Sequence, residues 1–139
     1  MPLAITELLP TLWRVFQWVR THRQPRFLIV EDNLEDAFFL QRTVEHAGCF
    51  QVTANSAEMA EGMLRQGKFD YVLLDMRFTG MSGMELLLRI LRENPVQVII
   101  LTCGEPQDLV AIPKSKLIHC VAKPITAEVI RDILKYLKA

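Results

Sequence analysis

The stretch Phe69–Leu88, FDYVLLDMRFTGMSGMELLL, decides how this chain is read. Tyr71, Val72, Leu73 and Leu74 form a short apolar run of the kind that fills a strand buried on both faces, and the run stops at one acid, Asp75. A loop holding Arg77, Thr79, Gly80, Ser82 and Gly83 follows, then a periodic segment that predicts a helix over Gly83 to Glu93, closed by Pro95. Strand, acid, loop and helix is the layout of an active-site edge in an open α/β sheet.

An Asp after a hydrophobic strand often does no more than turn the chain or cap the next helix. Three other runs give Asp75 company. Phe27 to Val30 ends at Glu31 and Asp32, Val98 to Leu101 ends at Thr102, and Cys120 to Ala122 leads into Lys123-Pro124. Each run delivers polar groups at its carboxyl end.

The totals narrow the field. A chain of 139 residues, 50% hydrophobic, buries one substantial core, and the expected division is one domain over residues 25–139 with an addition over residues 1–24. Formal net charge is zero, so the basic excess of a duplex-binding protein is absent and no direct nucleic-acid contact is expected. No apolar run approaches a bilayer span, and MPLAITELLP lacks the positive start of a secretory signal. Cys49, Cys103 and Cys120 are odd in number and without metal-ligand spacing, which suits a reducing, cytoplasmic setting. His22, His46 and His119 are scattered and read as structural or surface residues.

In the added segment, Ile5, Leu8, Leu12, Val15 and Val19 recur at steps of three and four, with Leu9, Trp13 and Phe16 widening the stripe, so an amphipathic helix is expected. Pro10 opens or kinks it, leaving Thr11 to Arg20 as its firm part. The helix packs on its own domain, pairs with a second subunit as a homodimer, or lies on a membrane. The first two readings carry most of the weight, and a membrane contact is not expected. Thr21 to Pro25 reads as a linker.

Beyond it, strand and helix alternate. A strand over Arg26 to Val30 precedes a helix over Leu34 to Ala47, with Ala37, Leu40, Val44 and Ala47 inward, Phe38 off that face and Gly48 as the stop. Gln51 to Ala54 is an edge strand. Ser56 caps a helix to Gln66 whose residues Met59 to Leu64 face inward, and Gly67 ends it. Gly104, Pro106 and Pro113 leave room only for a brief or distorted helix over Asp108 to Ile112. Leu117 to Ala122 is the last strand and Thr126 to Lys138 the last helix, capped by Thr126. Five short apolar strands with intervening helices imply a doubly wound parallel sheet covered on both faces.

A flavodoxin-like strand order, 2-1-3-4-5, would set the first and third strands side by side and bring Glu31, Asp32 and Asp75 into one crevice. Three carboxylates repel unless a cation joins them, and an all-oxygen, acid-rich site suits Mg²⁺. Lys123 opposite Asp75 suggests that an anion such as a phosphoryl group arrives there, and Thr102 can hydrogen-bond its oxygens. That arrangement lets an aspartate act as nucleophile towards phosphorus and form an acyl phosphate.

FLIVEDN, YVLLDMRFTGMSGMELL, IILT and VAKP, in this order and spacing, resemble the receiver domains of bacterial two-component response regulators, including the stand-alone chemotaxis type, over about Arg26 to Ala139. The resemblance implies that Asp75 is the phosphoacceptor, receiving its group from a sensor histidine kinase or histidine phosphotransfer protein. It implies that Asp32 and Asp75 bind Mg²⁺ directly, with Glu31 acting through water and the Arg77 backbone carbonyl as a further ligand. Thr102 would be the switch hydroxyl, Lys123 the phosphoryl partner, and the Lys123-Pro124 bond cis. No enzymatic activity is expected beyond Mg²⁺-dependent self-phosphorylation and autodephosphorylation. With nothing after the last helix, output is expected through contacts with an unidentified downstream protein. The alternative is a constitutive adaptor or dimerisation module working through the N-terminal helix.

Three positions depart from the family pattern. Thr79 stands where a proline is usual, Cys120 where many receivers carry a switching Tyr or Phe, and Gly104 to Lys116 lacks the usual small-residue helix.

Overall fold

The computed structural model describes residues 10–15, 23–75, 77, 83–93, 96–102, 112 and 115–137. Residues 10–15 are helical. From there the order is β1 (Arg26–Val30), α1 (Leu34–His46), β2 (Phe50–Ala54), α2 (Ala57–Gln66), β3 (Tyr71–Asp75), α3 (Gly83–Glu93), β4 (Gln97–Thr102), β5 (Ile118–Ala122) and α4 (Ala127–Tyr136). The five strands form one sheet in the order β2-β1-β3-β4-β5, every neighbouring pair parallel.

Side chains alternate across a strand, so each central strand feeds two cores. Leu28, Val30, Val72, Leu74, Val98 and Ile100 meet Ala60 and Leu64 of α2 and Leu86, Leu87 and Ile90 of α3 on one face. Phe27, Ile29, Leu73, Ile99 and Leu101 meet Leu40 and Val44 of α1 and Ile130 of α4 on the other. Burial on both faces is why β1, β3 and β4 read as continuous apolar runs.

Local chemistry sets the element ends. Asn33, Ser56 and Thr126 cap α1, α2 and α4, their side-chain oxygens accepting from the N–H groups of Asp36, Met59 and Val129. Gly48 follows α1 with φ +85°, the left-handed conformation that an L side chain resists.

Two readings need correction. Met59 is 43% exposed, and the buried side chains of α2 are Ala57, Ala60 and Leu64, with Met63 packed against the same core. A ten-residue helix on a sheet buries only the stripe at steps of three and four, and Met59 lies beside that stripe. The edge strands are covered unevenly: β5 is only partly buried and Cys120 is exposed, because an edge strand has a neighbour on one side alone. Ala47, at the α1 cap, is partly buried and packs against the same core as Leu40 and Val44. The readings at Thr79, Cys103, Pro95, 104–111, 113–114 and Lys138, and the helix beyond residue 15, lie outside the described residues.

Candidate functional site

Register does most of the assembly. Val30 lies opposite Leu74 and Asp75 opposite Leu101, so Glu31 continues β1 beside Asp75 at the carboxyl edge. The Glu31 N–H donates to the Ala54 carbonyl at 3.0 Å, carrying the ladder one residue past β1. On the far side Thr102 lies opposite Ala122, and the Lys123 N–H donates to the Thr102 carbonyl at 2.8 Å. Lys123 thereby starts its side chain from the end of β5 and reaches two strands across, where its ammonium is ion-paired with Asp75 Oδ2. The other Asp75 oxygen, Oδ1, accepts from the Arg77 N–H at 2.9 Å.

The period of two also sorts the residues by face. Glu31 and Asp75 share the parity of Phe27, Ile29 and Leu73, on the α1 and α4 side. Thr102 has the parity of Val98 and Ile100, on the α2 and α3 side. Asp75, Glu31 and Thr102 are all buried, while Asp32, one residue past Glu31, is half-buried. The Lys123-Pro124 bond is cis.

Glu31 carries the most perturbed carboxyl. Burial pushes its pKa up to about 7, and repulsion from Asp75 and Asp36 adds to the rise, while the Asn33 N–H at 3.1 Å from Oε1 opposes it. Its second oxygen, Oε2, is buried and has no hydrogen-bond partner among the described residues. A buried acceptor left this way costs free energy unless a proton or cation meets it.

Among the described residues no three His, Cys, Asp or Glu side chains converge into a closed metal cage. Mg²⁺ does not require one, since it keeps several waters and takes only one or two carboxylates. Two carboxyls side by side, one of which gives up its proton readily when a cation replaces it, are chemically what such an ion needs. The donor set therefore fits it.

Beside these acids a cavity of about 180 Å³ opens, lined by Glu31, Asp36, Phe39, Leu101, Lys123 and Pro124 among others. Asn33 and Asp36 were not read as site residues in the sequence. Their signal was the Asn-x-x-Asp spacing of a helix cap, which sets the first turn of α1, and with it Asp36, at the mouth of the crevice. His119, in β5, is held to Gln97 at 2.8 Å and takes no part in the crevice.

A doubly wound parallel sheet with a buried aspartate at the end of β3, an acid at the end of β1 and a lysine crossing from β5 defines a class of α/β domains that work at their carboxyl edge. The chain belongs to the response regulator receiver domain family, which matches residues 27–135. It is 32% identical over 114 residues to the sporulation initiation phosphotransferase F of Bacillus subtilis, covering 79% of this chain and 90% of that protein. It is 27% identical over 118 residues to the sensory/regulatory protein RpfC of Xanthomonas campestris, covering 81% of this chain but only 16% of that protein. A response regulator receiver domain from Clostridium thermocellum superposes with a TM-score of 0.72 at 24% identity, covering 81% of this chain and 92% of that one, a likeness of fold. The chain is thus a receiver domain of two-component signalling, a family of signalling modules that generally uses Mg²⁺. Among the described residues no helix is long and apolar enough to cross a membrane.

Proposed function

We propose that this domain accepts a phosphoryl group on Asp75 from a phosphohistidine of a sensor histidine kinase or histidine phosphotransfer protein, and signals through contacts that depend on that group. The observation that carries this reading is the ion pair between Lys123 and the buried Asp75. A carboxylate oxygen of Asp75 attacks phosphorus, the bond from phosphorus to the imidazole nitrogen breaks, and the nitrogen leaves with the electron pair and takes up a proton. The Lys123 ammonium, already on Asp75, is placed to follow the incoming charge onto the phosphoryl oxygens. The Arg77 N–H orients the carboxylate through Oδ1. Thr102, at the adjacent strand end, supplies a hydroxyl for a phosphoryl oxygen. Mg²⁺, when bound, neutralises charge on the transferring group; Asp32, Asp75 and the Arg77 carbonyl would hold it directly, with Glu31 acting through water.

The name of the Bacillus relative describes it as a phosphotransferase, which supports handling of a phosphoryl group by this chain as well. Incubation of the full chain with a small phosphodonor and Mg²⁺, followed by intact mass, is expected to show one added phosphoryl group that is lost in Asp75→Ala. Absence of an adduct with any phosphodonor or phosphohistidine protein overturns the assignment.

A further inference from the structure

The phosphoryl chemistry uses Asp75, Lys123, Thr102 and the acids after β1, and leaves the wall of the cavity beside them without a role. Phe39 of α1, Leu101 of β4 and Pro124 after β5 give that cavity apolar sides, and Glu31, Asp36 and Lys123 are its charged groups. The three charges are not equivalent. The Lys123 ammonium is engaged by Asp75, and Glu31 is buried, whereas Asp36 is exposed at the mouth and no cation of the described residues pairs with it. Asp36 is also held in place from below, because the Asn33 side-chain oxygen accepts its backbone N–H at 3.0 Å and fixes the first turn of α1.

Displacement at phosphorus runs in line, so the departing group leaves on the side opposite the attacking Asp75 oxygen. Asp75 is buried at the carboxyl edge, and this cavity reaches both of its neighbours, Glu31 and Lys123. An apolar cavity of about 150 Å³ takes a benzene ring, so the smaller imidazole ring fits within about 180 Å³. Phe39, 54% exposed at the rim, offers an aromatic ring for it to pack against. Apolar walls, an aromatic rim and a carboxylate with no cation partner are what a protonated imidazole needs from a pocket.

We propose that this cavity is a leaving-group subsite, and that Asp36 makes the domain select a phosphoryl group carried on an imidazole over one carried on a carboxylate. The inference rests on the phosphoacceptor role of Asp75 stated above. The Asp36 carboxylate accepts a hydrogen bond from the N–H of the donor ring, on the nitrogen that is not bonded to phosphorus. The bond from the Asp75 oxygen to phosphorus forms as the bond from phosphorus to the other ring nitrogen breaks. A ring already protonated at its far nitrogen takes back that electron pair as neutral imidazole. An acyl phosphate departs instead as a carboxylate, whose negative charge Asp36 opposes at the mouth.

The test compares two small donors, monophosphoimidazole and acetyl phosphate, on the full chain with Mg²⁺ at one ionic strength. Initial rates of adduct formation are read by intact mass for the parent, Asp36→Asn and Asp36→Lys. Asp36 is exposed, so both variants are expected to keep the far-ultraviolet dichroism of the parent. In Asp36→Asn the phosphoimidazole rate is expected to fall about ten-fold, the loss of one charge-assisted hydrogen bond. The acetyl phosphate rate is expected to rise about two-fold, as repulsion at a solvent-exposed position is removed. Asp36→Lys should move each rate further in the same direction. A merely structural disturbance of α1 would lower both rates together. Rates that move together, or a donor ratio that is the same in the parent and both variants, overturn the subsite, while an adduct that is lost in Asp75→Ala leaves the phosphoacceptor assignment standing. No adduct with either donor removes that assignment and the subsite with it.

Discussion

Replacing Glu31 by Gln is expected to stabilise the domain at alkaline pH in the presence of a chelator. In the folded chain the Glu31 carboxyl holds its proton up to about pH 7, against an ordinary value of 4.5, because it is buried beside Asp75. Between those two values the folded state binds more protons than the unfolded chain, so stability falls as pH rises through that window. At about 1.4 kcal/mol for each tenfold change in proton affinity, the full displacement corresponds to roughly 3 kcal/mol. Gln keeps the shape, loses the charge and turns an N–H towards Asp75, so the penalty disappears. Urea unfolding followed by circular dichroism at pH 5 and pH 8 provides the measurement. The variant and the parent should differ little at pH 5, and at pH 8 the variant should be the more stable by an amount approaching that figure. His119 works in the opposite direction. Burial lowers its pKa, so its contribution is lost as pH falls below its usual 6.5, and both proteins share this effect, which cancels in the comparison. Adding Mg²⁺ at pH 8 should narrow the gap by stabilising the parent. An equal stability of the two proteins at pH 8, with parallel pH dependences, would refute the electrostatic account of the crevice.

Removing the Lys123 ammonium in Lys123→Ala leaves the Asp75 charge buried without its partner; with the lysine itself one third exposed, the expected loss is about 1–3 kcal/mol in urea unfolding. The same variant should accept a phosphoryl group far more slowly than the parent, and an unchanged rate by intact mass would remove Lys123 from the chemistry. Gly48→Ala should lower stability by about 1 kcal/mol through backbone strain alone, since a Cβ there meets nothing within 4 Å and the cost comes from φ +85°. Leu73→Ala, at a fully buried position of the central strand, should cost about 2–5 kcal/mol, with a cavity left between β3 and the helices on its face.

The architecture was legible because its signals are local. Apolar runs of four residues ended by an acid, a threonine or a lysine, caps at Ser56 and Thr126, and stops at Gly48 and Gly67 are properties of neighbours in sequence, and they located the strands and helices of the sheet to within a residue or two. The failures also have one origin. Met59 and the partly covered β5 were assigned by hydrophobicity, which states what a residue tolerates and leaves open which face a particular neighbour covers. Cys120 shows the same limit, since its exposure follows from β5 lying at the sheet edge.

By itself, the sequence determined the alternation of strand and helix and the identity of the polar residues at the strand ends, because backbone periodicity and side-chain chemistry are carried residue by residue. Only the tertiary structure decided that Lys123 crosses to Asp75, forty-eight residues earlier in the chain, that Glu31 is buried beside Asp75 with a proton affinity far from ordinary, and that the stripe at Leu12 and Val15 lies open. Distance, desolvation and exposure are set by register and packing between segments remote in sequence, and no single segment contains them.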